Sequence, residues 1–186
     1  FVTGEGSALA RGITNGIALP RGGGVRTSDS GVGGAPTLLS NAETFAQLAV
    51  AARWGALPYR EIGTPEEPGT VLLTIAGSTV VETPTGVPLE PVLAACGLDV
   101  GQGVLVGGYH GAWVPATDLD VPLDREHLAP FGATPGAGIV HALDRAACPL
   151  GAAAEVARYL AGQSARQGGP CVNGLPREAE LPGQLA

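Results

Sequence analysis

The hydrophobic period of this chain changes twice, and those changes limit what it can fold into. Before the run Gly63-Thr64-Pro65-Glu66-Glu67-Pro68-Gly69, residues Phe45, Leu48, Ala49, Ala52 and Arg53 follow the spacing of a helix face. Asn41 is placed to cap a helix over Ala42 to Trp54, and Gly55 to end it. Beyond the proline- and charge-rich run, the apolar residues gather into short β-branched stretches. Val71-Leu72-Leu73-Thr74-Ile75 and Val80-Val81-Glu82-Thr83 flank a turn at Gly77-Ser78, which predicts a hairpin. From Pro149 the helical period returns in Ala153, Val156, Ala157, Leu160 and Ala161, a stripe that needs a surface to cover. Helical ends around a strand-rich centre predict an α+β chain.

The centre can be read further. Pro88 and Gly97 bracket a short helix over Leu89 to Cys96. Val104-Leu105-Val106-Gly107 reads as a third strand, Trp113-Val114 and Val121-Pro122-Leu123 as continuations of the sheet, and Ile139-Val140-His141-Ala142-Leu143 as a last buried strand. A hairpin, a helix and returning strands make a ubiquitin-like β-grasp pattern, with Leu72, Ile75, Leu93, Val104, Val106 and Val140 as its expected core. Near the start, Glu5 to about Arg11 suits a short helix opened by a carboxylate that favours the helix dipole. A glycine-rich loop over Gly12 to Gly34 follows it.

Composition removes several classes of function. With 45% hydrophobic residues among 186, the chain has enough apolar side chains for a packed core. Its basic residues are all Arg, and the net charge of −7 leaves no basic surface for nucleic acid. No apolar run approaches the roughly 20 residues that membrane insertion as a helix requires. Lys is absent, and neither Gly-x-Ser-x-Gly nor Ser-x-x-Lys occurs, so independent nucleophilic catalysis is not expected. His110, His127 and His141 lack zinc-site spacing, and His141 reads as a strand residue. The three cysteines form no disulfide framework, which points to a reducing, cytoplasmic setting. Cys96 and Cys148 read as packing residues. Gly107 to Trp113 reads as an exposed turn with packed aromatics, or as the lip of a ligand site.

Three stretches carry a family resemblance. Phe1-Val2-Thr3-Gly4-Glu5-Gly6-Ser7-Ala8-Leu9 resembles a Tyr-Ile-Cys-Gly-Glu-Glu-Thr-Ala-Leu turn. Pro36-Thr37-Leu38-Leu39-Ser40-Asn41-Ala42-Glu43-Thr44 resembles Pro-Thr-Thr-x-Asn-Asn-Val-Glu-Thr. The run from Gln163 to Pro176 is similar to an iron–sulfur ligand loop, Glu-Ser-Cys-Gly-x-Cys-x-Pro-Cys. All three belong, in this order, to the flavin-carrying, NADH-oxidising subunit of respiratory complex I. The resemblance implies FMN and NAD(H) as cofactors, with Gly4, Glu5, Ser40 and Asn41 beside them.

It also implies a 4Fe-4S cluster on the tail. Ala165 and Gly168 stand where two of the three loop thiolates should be, and no cysteine follows Cys171, the remaining candidate metal ligand. Cys171 is otherwise a free thiol or a neutral leftover, and cluster ligation is expected to be lost. The implied organisation is the end of a flavin-binding α/β domain over 1–66, a soluble-ligand-binding β-grasp domain over 67–146, and an iron–sulfur-type helical tail over 147–186. In such a protein hydride passes from NADH to flavin, and electrons leave through the cluster to a partner subunit. The family's flavin phosphate loop lies upstream of the motif at Phe1, and the sequence holds no Met, so we expect a trimmed chain that alone binds neither cofactor and is inactive. The competing expectation is a non-catalytic β-grasp module that binds a ligand or a partner.

Overall fold

A computed structural model describes residues 2–185, excepting the side chains of 182–185; Phe1 of the first motif lies outside the described residues. In chain order the helices are α1 (Gly6–Asn15), α2 (Ala42–Trp54), α3 (Ala56–Tyr59), α4 (Leu89–Ala95), α5 (Arg125–Leu128), α6 (Pro149–Gly162) and α7 (Leu175–Leu185). The strands are β1 (Thr70–Ile75), β2 (Thr79–Pro84), β3 (Gly103–Val106), β4 (Ala112–Pro115) and β5 (Ile139–Leu143). This is an α+β chain with two compact units. Ala42–Ala147 forms one, and the stretch up to Asn41 joins the stretch from Cys148 to form the other.

The sheet unit carries a five-stranded mixed sheet of order β2-β1-β5-β3-β4. β1 and β2 form the antiparallel hairpin, while Thr74 and Ile75 of β1 pair in parallel with Ile139 and Val140 of β5. β3 lies antiparallel between β5 and β4. Leu73, Ile75, Leu89, Leu93, Val104, Val106, Val114, Leu123, Leu128 and Val140 form its buried core. Cys96 packs against that core, as its sequence position at the end of α4 suggests.

Leu72 departs from the expected core. It is 43% exposed, and Leu73 is buried in its place. Side chains alternate along a strand, so Leu72 and Ile75, three residues apart, face opposite sides. Val121 to Leu123 is not a strand either. It meets 86–89 through an isolated bridge at Pro88 and Pro122, flanked by backbone bonds from Gly86 to Leu123, Leu123 to Val87 and Leu89 to Val121; the two proline nitrogens, which carry no hydrogen, keep this pairing from becoming a regular ladder.

Helix α2 has the expected bounds but not the expected face. Phe45 and Leu48 are exposed, and the helix is tied to the sheet unit by polar side chains. The Glu43 carboxylate accepts from the Leu72 amide at 2.7 Å, at a point of β1 beyond its pairing with β5. Gln47 donates to the Thr70 carbonyl at 3.1 Å and hydroxyl at 2.9 Å, and accepts from Tyr59 at 3.0 Å. The anchoring residues 43 and 47 are one turn apart, on a face the apolar period does not mark.

In the other unit, α1 runs one turn past the expected Arg11 and ends at Gly16 in the left-handed conformation (φ 79°). Along α6 the buried residue is Ala154, whereas Ala153 of the expected stripe is exposed. Cys148 is exposed at the start of α6 and not packed: Pro149 opens the helix, which leaves the residue before it outside the first turn.

Candidate functional site

The start of α1 opens onto a cleft of about 670 Å³, within the usual size range of small-molecule sites. Three stretches line it: Glu5-Gly6-Ser7, Gly24 to Ser28, and Pro36 to Leu39. The first and last belong to the two N-terminal motifs singled out in the sequence, and folding brings them to one cleft.

Local chemistry explains how. Glu5 stands at the N-cap in extended conformation, and its carboxylate accepts from the Ala8 amide at 2.9 Å and the Ser7 hydroxyl at 2.6 Å. Two donors at one carboxylate favour its charged form. The Ser7 hydroxyl first, then the Ser7 amide, hold the Glu5 carboxyl below the ordinary carboxylate range, aided by the Ala8 amide and opposed by slight burial. Ser7 Oγ in turn accepts from the Arg21 amide at 2.9 Å, which pins the loop to the helix start.

That loop has little hydrophobic support and is held by polar bonds. Arg11 donates to the carbonyls of Leu19 and Pro20 at 3.1 Å, and Arg21 to the carbonyl and hydroxyl of Ser30 at 3.2 and 3.1 Å. Thr37 Oγ1 accepts from the Val32 amide at 2.9 Å, and the Thr37 amide donates to Thr27 at 2.8 Å. Gly31 is required here, because a Cβ on it would overlap the Thr37 side chain. Leu38, Leu39 and Val25 stay exposed at the cleft with Arg26 among them, an apolar wall carrying one cationic group.

Of the residues singled out in the sequence, Glu5 lines the cleft and Gly4 immediately precedes it. Ser40 and Asn41 follow Leu39 in the chain, one and two residues past the lining residues. Val25, Arg26 and Thr27 escape sequence reasoning, because a glycine-flanked loop without periodicity gives no signal of where it folds back. A second constellation is equally silent in the sequence. Asp124, buried in the sheet unit, caps α5 by accepting from the His127 amide at 2.8 Å, and both its oxygens lie 2.8 Å from His127 Nδ1. Glu67 accepts from the Arg125 amide at 2.9 Å beside it. These bonds tie a loop to a short helix within one unit and are accounted for as structure.

No protein-family model matches the chain. Curated proteins and solved structures do. The NADP-reducing hydrogenase subunit HndC of Solidesulfovibrio fructosivorans is 29% identical over 97% of this chain and 39% of its own length. One subunit of the NADH-quinone oxidoreductase of Rickettsia typhi is 26% identical over 94% of this chain and 44% of its own. The NAD+-reducing [NiFe]-hydrogenase in its H2-reduced state superposes with a TM-score of 0.79, at 31% identity over 96% of this chain and 32% of that one. The chain is homologous to NADH-oxidising flavoprotein subunits. It spans less than half the length of these relatives.

At the positions that resemble the family's ligand loop stand a methyl group (Ala165), a bare backbone (Gly168) and one thiol (Cys171). Among the described residues, no three His, Cys, Asp or Glu side chains come together in a way that could hold a metal ion. A cubane cluster takes four ligands, mostly thiolates, so this donor set does not fit one. No helix among the described residues is long and apolar enough to cross a membrane.

Proposed function

We propose that this chain contributes part of the cofactor-facing wall of an NADH-oxidising flavoprotein, followed by a β-grasp module. The observation that carries this reading is the cleft at the start of α1, where the two flavin-side motifs converge. Its volume suits a flat ring, and its apolar wall of Val25, Leu38 and Leu39 suits an aromatic face. Bound FMN would supply the chemistry by taking hydride from NADH. The protein's own contribution is placement. Glu5, held anionic by Ser7 and Ala8, locks the first turn of α1 at the cleft, and Arg26 offers a cation to an anionic group. Gly4, Glu5, Ser40 and Asn41 are our candidate cofactor-side residues. The strand order supports the β-grasp reading, with α4 packed on the sheet through Leu89 and Leu93. Partners, in this reading, are electron-transfer subunits, since the relatives are named as subunits of larger enzymes. A cytoplasmic setting is part of the same proposal.

The test uses the natural full-length protein. Purified anaerobically, it should carry flavin whose absorbance bleaches on adding NADH, and Arg26→Ala should raise the KM for NADH or shed flavin. Full-length protein without flavin, and unable to take it up, overturns the reading. The alternative, a non-catalytic binding module, draws on the edge strand β2, where Val80 is exposed and backbone groups are open to an added strand.

A further inference from the structure

We infer that the turn from Gln163 to Gly174, the counterpart of a cluster-ligating loop, is a metal-free structural turn whose own hydrogen bonds have taken over the bridging role of the cluster. A cluster holds its loop by binding several points of the backbone to one rigid body through side-chain thiolates. Two of those attachment points are gone at Ala165 and Gly168, and a loop of this composition, with two glycines and a proline between positions 168 and 170, would not stay folded without a substitute.

The substitutes are visible. Ser164 Oγ donates to the Cys171 carbonyl at 3.3 Å and accepts from the Arg166 amide at 3.2 Å, so one hydroxyl links the backbone on either side of Gly168. The Val172 amide donates to the Gly168 carbonyl at 3.0 Å, and the Leu175 amide to the Pro170 carbonyl, which closes a π turn over Pro170–Gly174 that runs directly into α7. Gln167 Nε2 donates to the Pro20 carbonyl at 2.8 Å and ties the turn to the loop that walls the cleft. Cys171 enters this arrangement through its backbone carbonyl. Arg166 sits in the left-handed region (φ 54°), an uncommon place for a side chain, and the bond from its amide to Ser164 helps to hold it there.

The consequence concerns the tail alone and does not rest on the proposed cofactor wall: with one thiol at the three loop positions, this turn holds no cubane cluster and offers no cluster route for electrons. The experiment compares the natural full-length protein with its Cys171→Ser variant, both prepared anaerobically, for iron and acid-labile sulfide per chain. Equal contents are expected, whatever clusters lie elsewhere in the protein. Loss of about four iron and four sulfide in the variant overturns the inference. Amide exchange of Val172 in the unaltered protein is the second reading, and it guards against a variant that misfolds. It should be unchanged by reduction and iron chelation, and a rise of an order of magnitude or more overturns the inference. Ser164→Ala should speed exchange at Arg166 about fivefold, the equivalent of one net hydrogen bond, and an unaltered rate refutes the assigned substitute. Flavin content measured on the same samples keeps this outcome separate from that of the cofactor reading.

Discussion

In the Ala42–Ala147 unit the fully buried side chains include Leu73, Ile75, Leu89, Leu93, Val104, Val106 and Val140; in the unit built from the two ends of the chain, the buried hydrophobic residues among those described are Ala8, Ala10, Ala154 and Ala179. The first unit is therefore stabilised by large aliphatic side chains, each contributing about 1.5–3 kcal/mol on burial. Alanines contribute far less. The second unit relies on hydrogen bonds accepted by Glu5, Ser7 and Thr37 and donated by Arg11, Arg21 and Ser164, which are worth about 1 kcal/mol each. The difference teaches where a ligand site can be put. A glycine-rich loop held by individual polar bonds can be shaped around a cleft, whereas a packed aliphatic core admits little change.

The comparison is tested most severely by truncating Leu93, which is fully buried between α4 and the sheet. Leu93→Ala should cost about 2–5 kcal/mol in a denaturant melt. Leu160→Ala, at a half-buried position of α6, should cost about 1 kcal/mol or less, since little apolar area is lost. Equal costs would show that the end-built unit has an aliphatic core after all.

Next in size is Gly31→Ala. The new methyl group would overlap Thr37, whose hydroxyl and amide fasten the cleft wall, so we expect a loss of about 1–3 kcal/mol and faster exchange at the Val32 and Thr37 amides. A neutral substitution would mean that the wall yields and the loop is less specified than its bonds suggest.

These two sites also show what the sequence makes legible. The sheet unit is readable because β-branched runs and turn glycines report local structure directly: all five strand positions and α4 are placed to within a residue or two. Its misreadings come from interactions that periodicity does not carry. Two adjacent leucines, Leu72 and Leu73, cannot disclose which one faces inward, and the Glu43 and Gln47 anchors of α2 depend on strand atoms some 25 residues later. In the end-built unit, motif resemblance finds both sides of the cleft, but nothing in Gly24 to Ser28 announces the third. Such a loop is placed by contacts such as Ser7 with the Arg21 amide, fourteen residues apart, and by Gln167 with Pro20, 147 apart.

A smaller effect, of opposite sign, belongs to the β1–β2 turn. The Ser78 amide donates to Ile75 at 3.3 Å, and both central residues, Ala76 (φ 51°) and Gly77 (φ 77°), are left-handed. Turns of this kind favour Asn followed by Gly, and Ala gains nothing from the conformation. Ala76→Asn should stabilise the sheet unit by about 0.5–1 kcal/mol, read as a higher denaturation midpoint with an unchanged slope.

The smallest expected effect sharpens the comparison from the polar side. Glu5 caps α1 with a carboxylate whose pKa is lowered by the Ser7 hydroxyl and by the Ser7 and Ala8 amides. Because its folded value lies below the unfolded value of about 4.3, its charge stabilises the folded state at all pH values above that, and this contribution fades as the pH falls through the lowered folded value. Glu5→Gln keeps an acceptor for the Ala8 amide but removes the charge at the helix N-terminus. At neutral pH it should lower stability by about 0.3–1 kcal/mol, toward the low end because the carboxylate is exposed and screened by salt. In acid the natural protein also carries a neutral group there, so the two stability curves should converge. Curves that stay parallel to the lowest pH that still supports folding would mean that the Glu5 charge contributes nothing, and that the start of α1 is held by geometry alone.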